Sequence, residues 1–587
     1  MYPATIFRWH DLSQINTNTT PDTIDNSPLF MQVFASDKGT EELIEVSGSD
    51  FASMYGTMSF DKYGQSAIQA QNIINHGGRL LAKRVVAKDS TLANLVILGN
   101  VTPENGSVKV KWTSQSITGC SSFDEVKEAA LDLLDADAGV FPLFIFTDNG
   151  RGISNKAVKI TPDYATSRTI GKMFYSLSVY EGSTRTERQT ISFDPACIYN
   201  NNAYGLDELA TAQISGVVDS VVYEAFIAKA AEAIEMDPAV LRNYDLIYGY
   251  TCAGKAFDAY TIDAESVDLD ADNGIIMAEG SNGEFGDAPV GTDAWTQAIV
   301  EVFDGTFSPE IYDVDEHKVA AIIDANYPDE VKNAIFNLVA FREDCIFMRD
   351  YGLGLNTFLE IQDRYNYFYE ENKLNYFTCD YATSYMIKDP NTGKNIKVTM
   401  TYDLAGIMPS HIANNVFAPL AGSVNGFILE SAIKGTTSFT PIITPTSNQK
   451  EAMDDLRVNY ARFEGNECIV QSCYSSQTAY TQLSYICNVV AIQAVIRAVR
   501  IACPKQRYTL ATGSDLSIYA DAVNDVLSLY SENFDILRFT YTQDTLKATQ
   551  KIFNASIEFA FLNWAQTEIF DIYAINNEEV GTTSSEG

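Results

Sequence analysis

The segment Glu568–Ile575 (EIFDIYAI) is apolar on both of its alternating faces, yet it stands alone near the end of the sequence. A bare strand of that kind is an aggregation hazard unless a partner sheet takes it up. The residues before it sharpen the constraint. Leu537, Phe539 and Tyr541 alternate with Arg538, Thr540 and Thr542; Phe553, Ala555, Ile557, Phe559 and Phe561 alternate with Asn554, Ser556, Glu558 and Ala560. That period of two predicts two half-buried strands, paired antiparallel. Asn563–Gln566 forms a break before the last strand, and the tail NNEEVGTTSSEG is polar. The opposite end is built alike. Thr5, Ile6, Phe7, Arg8 and Trp9 read as a short strand with bulky side chains on both faces, followed by the turn-forming leash NTNTTPDTIDNSP. An isolated strand at each end points to strand exchange between subunits.

Composition then excludes classes. The chain has 587 residues, enough for about three to five domains or one core with large insertions. Hydrophobic residues make up 46% and aromatics 12%, far too apolar for a disordered chain. The formal net charge of −37 repels phosphate backbones, so direct nucleic-acid binding is not expected. No apolar run is long enough for a transmembrane helix, and MYPATIFRWHDLSQ does not read as a secretory leader. Nine cysteines without a CxxC pair suggest buried, reduced thiols and folding in a cytoplasm.

Between the ends, residues 29–98 read as an α/β unit: strand LFMQVF, helices at Ser49–Tyr55 and Gln65–His76 with Gly77 as cap, and strands Leu80–Ala87 and Leu92–Leu98. Residues 99–198 are strand-rich, with a helix over 123–134. Helical stretches at 207–243 precede strand YDLIYGY, and two helical blocks follow at 293–303 and 328–341. Residues 342–450 read as strands and Asn/Tyr-rich loops. Tyr485, Val489, Ile492, Ile496, Val499 and Cys503 form a helical stripe that Pro504 ends. A second helix carries Leu516, Tyr519, Val523, Val526 and Tyr530.

Candidate chemistry is sparse. Gly249–Lys255 fits the start of a phosphate-binding loop, but Ala256 stands where Ser or Thr would ligate magnesium. Asp268, Asp270, Asp272 and Glu279 have a calcium-loop spacing, but Asn273 occupies the glycine position, so a solvated acidic loop is the better reading. His10, His76, His317 and His411 have no metal-binding spacing, and Cys468 and Cys473 read as core residues. Arg497, Arg500, Lys505 and Arg507 cluster at a helix end. They either complement its dipole or form a docking patch for an acidic partner. Nothing here argues for an enzyme or a cofactor.

The order of elements resembles the contractile tail sheath proteins of tailed bacteriophages. ATIFRWHD is similar to that family's N-terminal arm. AIQAQNIINHGGRLLAKRVV resembles its helix, turn and strand, with His76, Gly77 and Gly78 in the turn and Arg84-Val85 ending the strand. GSNGEFGDAP (280–289) resembles the family's Gly-rich loop, and MPSHIANNVFAPLAG (408–422) a loop rich in Pro, Ala and Gly. ASIEFAFLNWAQTEIFDIYAI resembles its penultimate strand, break and arm. The chain departs from the pattern at Tyr2-Pro3-Ala4, Cys503-Pro504 and Trp564-Ala565-Gln566.

The resemblance implies an α+β and α/β multidomain protein: a conserved inner core built from both chain ends, with strand-rich outer domains inserted between them. Residues 1–28 would be the N-terminal arm and linker, 29–98 the N-terminal core segment, 99–262 the outer insertion, 263–440 a middle or outer domain, 441–562 the C-terminal core segment, and 563–587 the C-terminal arm and tail. Thr5–Trp9 and the C-arm residues Glu568, Ile569, Phe570, Asp571, Ile572, Tyr573, Ala574 and Ile575 would add to an acceptor sheet containing Phe553, Ile557, Phe559 and Phe561 in neighbouring copies. Arg497, Arg500, Lys505 and Arg507 would face the tail tube. Subunits would form hexameric rings in the virion tail, assembled in the host cytoplasm. Partners would be the tube, baseplate and tail terminator proteins, with no direct nucleic acid and no membrane insertion. Contraction would need no bound nucleotide. The competing expectations are the sheath of a bacteriocin or another contractile injection system, and an acidic cytoplasmic enzyme using the 249–255 or 268–279 segment.

Overall fold

The computed structural model describes residues 28–48, 50–206, 209–211, 213–314, 316–371, 375–438, 449–502, 513–542 and 554–562. They fall into a large unit within Asp25–Ala494 and a small unit whose described residues begin at Val495.

The large unit is built on a seven-stranded sheet. Its spatial order is Ile44–Val46, Arg79–Arg84, Leu29–Phe34, Val319–Ile323, Ile346–Asp350, Thr378–Tyr381 and Val458–Asn459. Every neighbouring pair is parallel except Ile44–Val46 with Arg79–Arg84. Leu29–Phe34 and Val319–Ile323 are buried at every residue. Unbroken apolar runs are what strands covered on both faces require. Helices Phe60–Asn75, Asp329–Arg342 and Phe358–Glu371 make the crossovers that parallel neighbours need. At the end of the first, Gly77 takes a φ of +84° and the Gly78 N–H donates to the Ile73 carbonyl, closing the helix as the cap reading expected.

Buried ions tie the carboxyl ends of the central strands together. Lys332 Nζ donates to Asp324 Oδ2 at 2.5 Å and to Asp350 Oδ1 at 2.8 Å, and Thr399 Oγ1 donates to Asp350 Oδ2 at 3.0 Å. Burial and the Asp350 carboxylate push the Asp324 carboxyl up from its ordinary range. One strand further on, Arg349 Nε donates to Asp380 Oδ1 at 2.7 Å.

This sheet revises the expected division of the chain. Three of its strands lie in 319–381, inside the segment assigned to a middle or outer domain. Conversely, the strand expected at Leu92–Leu98 in the N-terminal core segment is Asn94–Glu104, a member of another sheet. Pairing between residues hundreds of positions apart leaves no mark on local periodicity. Within 342–450, expected as strands and loops, two helices form: Phe358–Glu371 and Thr401–Asn414. The second includes the start of MPSHIANN, with Pro409 inside it.

Residues 91–281 form an insertion with its own core. A six-stranded sheet runs Leu209–Ala210, Ile214–Val217, Val140–Asp148, Asn94–Glu104, Ser107–Gln115 and Tyr260–Ile262. A four-stranded sheet runs Ile275–Ile276, Lys156–Pro162, Tyr175–Glu181 and Thr184–Ile191. Both contribute to one apolar cluster with helix Ser220–Ala233, around Trp112, Phe144 and Phe226. Trp112 Nε1 donates to the Ile247 carbonyl at 3.1 Å, so the buried indole keeps a partner. Where the chain enters and leaves, the two passes pair with each other. Thr91 N donates to Ser281 O at 3.0 Å, Asn94 N to Ala278 O at 2.9 Å, and Ala278 N to Asn94 O at 3.0 Å.

Candidate interaction surface

The small unit holds helix Gly513–Ser528 and the antiparallel strands Phe534–Thr542 and Asn554–Phe561. The register sets Leu537 opposite Phe559, Phe539 opposite Ile557 and Tyr541 opposite Ala555, as the alternation predicts. One face is aromatic and half-buried, with the Tyr519 ring of the helix edge-on to Phe539 at 6.2 Å. The other is polar. Arg538 and Glu558 form an ion pair across the strands, and the Thr540 and Ser556 hydroxyls lie 2.7 Å apart. Cross-strand pairs of this kind each contribute about 0.2–1 kcal/mol.

Among the described residues, these two strands pair with no third. Two strands alone are marginal in water. The hairpin nonetheless exposes Ile536 (51%) and Leu562 (48%). The geometry is that of a sheet able to accept further strands.

The other site candidates are distributed as follows. Ile557, Phe559 and Phe561 lie in the hairpin; Phe553, the N-arm Thr5–Trp9 and the C-arm Glu568–Ile575 lie outside the described residues, as do Lys505 and Arg507. Arg500 is exposed, but Arg497 is 2% exposed. A guanidinium withdrawn from water cannot belong to a surface patch, which corrects the four-residue cluster.

In the acidic loop, aspartates have partners within the chain. Lys159 Nζ pairs with Asp270 Oδ1 at 3.0 Å, and Asp268 Oδ1 accepts from the Asp270 N–H. Among the described residues, no three His, Cys, Asp or Glu side chains converge to hold a metal. The 249–255 segment lacks the strand-loop-helix arrangement of a phosphate loop. Within YDLIYGY, Tyr244–Asp245 pairs as a hairpin with Tyr250–Thr251, and the next element is strand Tyr260–Ile262 rather than a helix. Asp245 anchors that turn, accepting from Tyr164 Oη at 2.6 Å and Tyr175 Oη at 2.9 Å. Among the described residues, no helix is long and apolar enough to cross a membrane.

Sequence reasoning missed the Lys332–Asp324–Asp350 cluster, whose members share no local motif. It also missed the exposed edge strand Thr184–Ile191, whose signal was visible as alternating Thr and charged residues.

No protein-family model matches the sequence, and no curated protein does. Solved structures do match. A sheath tail protein from Listeria innocua aligns over 92% of this chain and 92% of its own length, with a TM-score of 0.51 at 9% identity. A sheath tail protein from Desulfitobacterium hafniense aligns over 92% of this chain and 93% of its own, with a TM-score of 0.46 at 10% identity. The helical sheath of the anti-feeding prophage in its contracted state covers 49% of this chain and 76% of its own, with a TM-score of 0.37 at 12% identity. The Listeria likeness is one of fold, and it extends from the central sheet through the insertion. Over 92% of its length, this chain has the fold of a sheath tail protein.

Proposed function

We propose that this chain is the structural subunit of a contractile sheath, a protein that assembles with copies of itself rather than an enzyme. Copies polymerise as stacked hexameric rings around a tail tube, in contact with baseplate and terminator proteins, and shorten to drive the tube through a host envelope. The observation that carries this reading is the end-to-end fold likeness to a sheath tail protein. The hairpin supplies the linking device: terminal strands of neighbouring copies, Thr5–Trp9 and Glu568–Ile575, add to its edges. Each added backbone hydrogen bond contributes a net of about 0.5–1.5 kcal/mol, so a short strand holds firmly while its leash lets subunits rotate. A phage tail is favoured over a leaner injection device by the size of the insertion, residues 91–281.

Electron microscopy of the purified chain tests the reading. Rings or long tubular polymers are expected, and a chain that stays monomeric at high concentration sinks the proposal. Removing residues 566–587 is expected to leave folded monomers in sedimentation velocity. Normal assembly of the shortened chain would exclude the C-terminal strand as the link.

A further inference from the structure

The four-stranded sheet of the insertion has two edges of opposite charge. One is Thr184–Ile191, which pairs only with Tyr175–Glu181 among the described residues and is exposed along most of its length. Arg185 and Arg188 project from it, and Lys172 lies just before the neighbouring strand. None of the three forms an ion pair with a carboxylate of the described residues; Arg188 Nε donates to the Ser176 hydroxyl at 2.6 Å. On this side of the sheet, residues 172–191 carry Lys172, Arg185 and Arg188 against Glu181, which pairs with Lys38, and Glu187, a net positive stretch in a chain of net charge −37.

The opposite edge is acidic. The loop Asp263–Gly274 first follows strand Ser107–Gln115, with Asp263 N and Val267 N donating to the Val110 and Trp112 carbonyls; from Asp268 it lies along the outer side of Lys156–Pro162, where Ile160 N donates to the Leu269 carbonyl at 2.8 Å, and it leads into edge strand Ile275–Ile276. Lysines of the same chain match three of its carboxylates: Lys109 with Asp263, Lys111 with Glu265 and Lys159 with Asp270. Asp268 and Asp272 are exposed and form no ion pair among the described residues, beside Ile276, which is 64% exposed.

Three strand spacings separate the two edges, about 14 Å, and the sheet holds them facing apart. They therefore cannot neutralise each other within one chain. We infer that they are the two halves of a head-to-tail contact between copies of this chain, Arg185 and Arg188 of one against Asp268 and Asp272 of the next. A contact joining two different patches closes rings or builds helices, whereas a two-fold contact would set arginine against arginine. Exposed ion pairs are individually weak, so the contact forms and breaks readily and gains strength only when repeated around a ring. The inference rests on the reading of the chain as a self-assembling subunit.

Charge swapping in the full-length chain tests it. Arg185→Glu with Arg188→Glu, and separately Asp268→Lys with Asp272→Lys, are expected to raise the concentration needed for assembly by about tenfold. All four changes together should restore assembly to near the parent level, because attraction is rebuilt with its signs exchanged. Neutral Arg185→Gln with Arg188→Gln should give a smaller loss, and serves if a reversal fails to fold. If the parent assembles and the reversals change nothing, or the fourfold variant assembles no better than either pair, this contact is overturned while the sheath reading stands. A parent that never assembles overturns both.

Discussion

His411 lies on helix Thr401–Asn414, 5.0 Å edge-on from the Phe427 ring, and neither ring nitrogen has a hydrogen-bond partner among the described residues. Burial lowers its pKa from 6.5 to about 4, so the fold holds the neutral imidazole. Because the folded pKa is the lower one, the contribution to stability is complete above pH 6.5 and is lost as the pH falls towards 4. The full loss is about 3 kcal/mol. His411→Leu should flatten that stretch of the acid limb, measured by urea unfolding across the pH range; an unchanged slope would refute the assignment. The Lys332 ammonium is a second residue-scale test. Lys332→Met strands Asp324 and Asp350 in the core, and a loss of about 3–5 kcal/mol is expected in chemical denaturation. Neither role was legible in the sequence. Four scattered histidines offered no metal motif, but which of them would be buried depends on packing partners far along the chain.

At the scale of elements, legibility followed pattern strength. The alternation over 537–541 and 555–561 gave the antiparallel strand pair and which residues share a face, and the stripe from Val489 to Val499 gave helix Ile486–Ala502. Helix Phe358–Glu371 was missed because Tyr and Phe dominate its second half and favour strands. Its start was signalled all the same. Thr357 and Glu360 form a reciprocal cap, with Glu360 Oε2 accepting from Asn356 N at 2.7 Å and Thr357 N at 2.9 Å, and Thr357 Oγ1 accepting from Glu360 N at 3.3 Å. The turn after helix Phe60–Asn75 offers a test at this scale. A Cβ on Gly78 would stand 2.7 Å from Ile73 Cγ2, 3.0 Å from Pro409 Cγ and 3.1 Å from the Ile73 carbonyl oxygen. Gly78→Ala should therefore destabilise the chain by about 1–3 kcal/mol, read as a lowered melting temperature. No loss would mean that the turn relaxes without strain.

For the whole molecule, the sequence indicated a core interrupted by insertions but misplaced the boundaries. Strand Val319–Ile323 sits beside Leu29–Phe34, and Ile346–Asp350 beside Val319–Ile323, through pairing that only the folded chain reveals, so a segment read as peripheral proves central. The candidate interaction surface was partly legible: the hairpin came from alternation, whereas the charged edges of the insertion needed the sheet order to become opposites. The paired passes at Thr91–Asn94 and Ala278–Ser281 have a practical consequence. Entry and exit are already hydrogen-bonded neighbours, and beside this two-rung ladder the insertion is tied to the central-sheet segments by the Arg151–Glu41 and Lys38–Glu181 ion pairs and by Arg84 Nη2 donating to the Arg151 carbonyl. The stretch between the two rungs can be exchanged as a cassette. A chain in which a tight turn replaces residues 95–277 should still unfold in one cooperative transition. A foreign domain with adjacent termini, grafted at the same two rungs, would then be displayed once per subunit along any filament the chain builds.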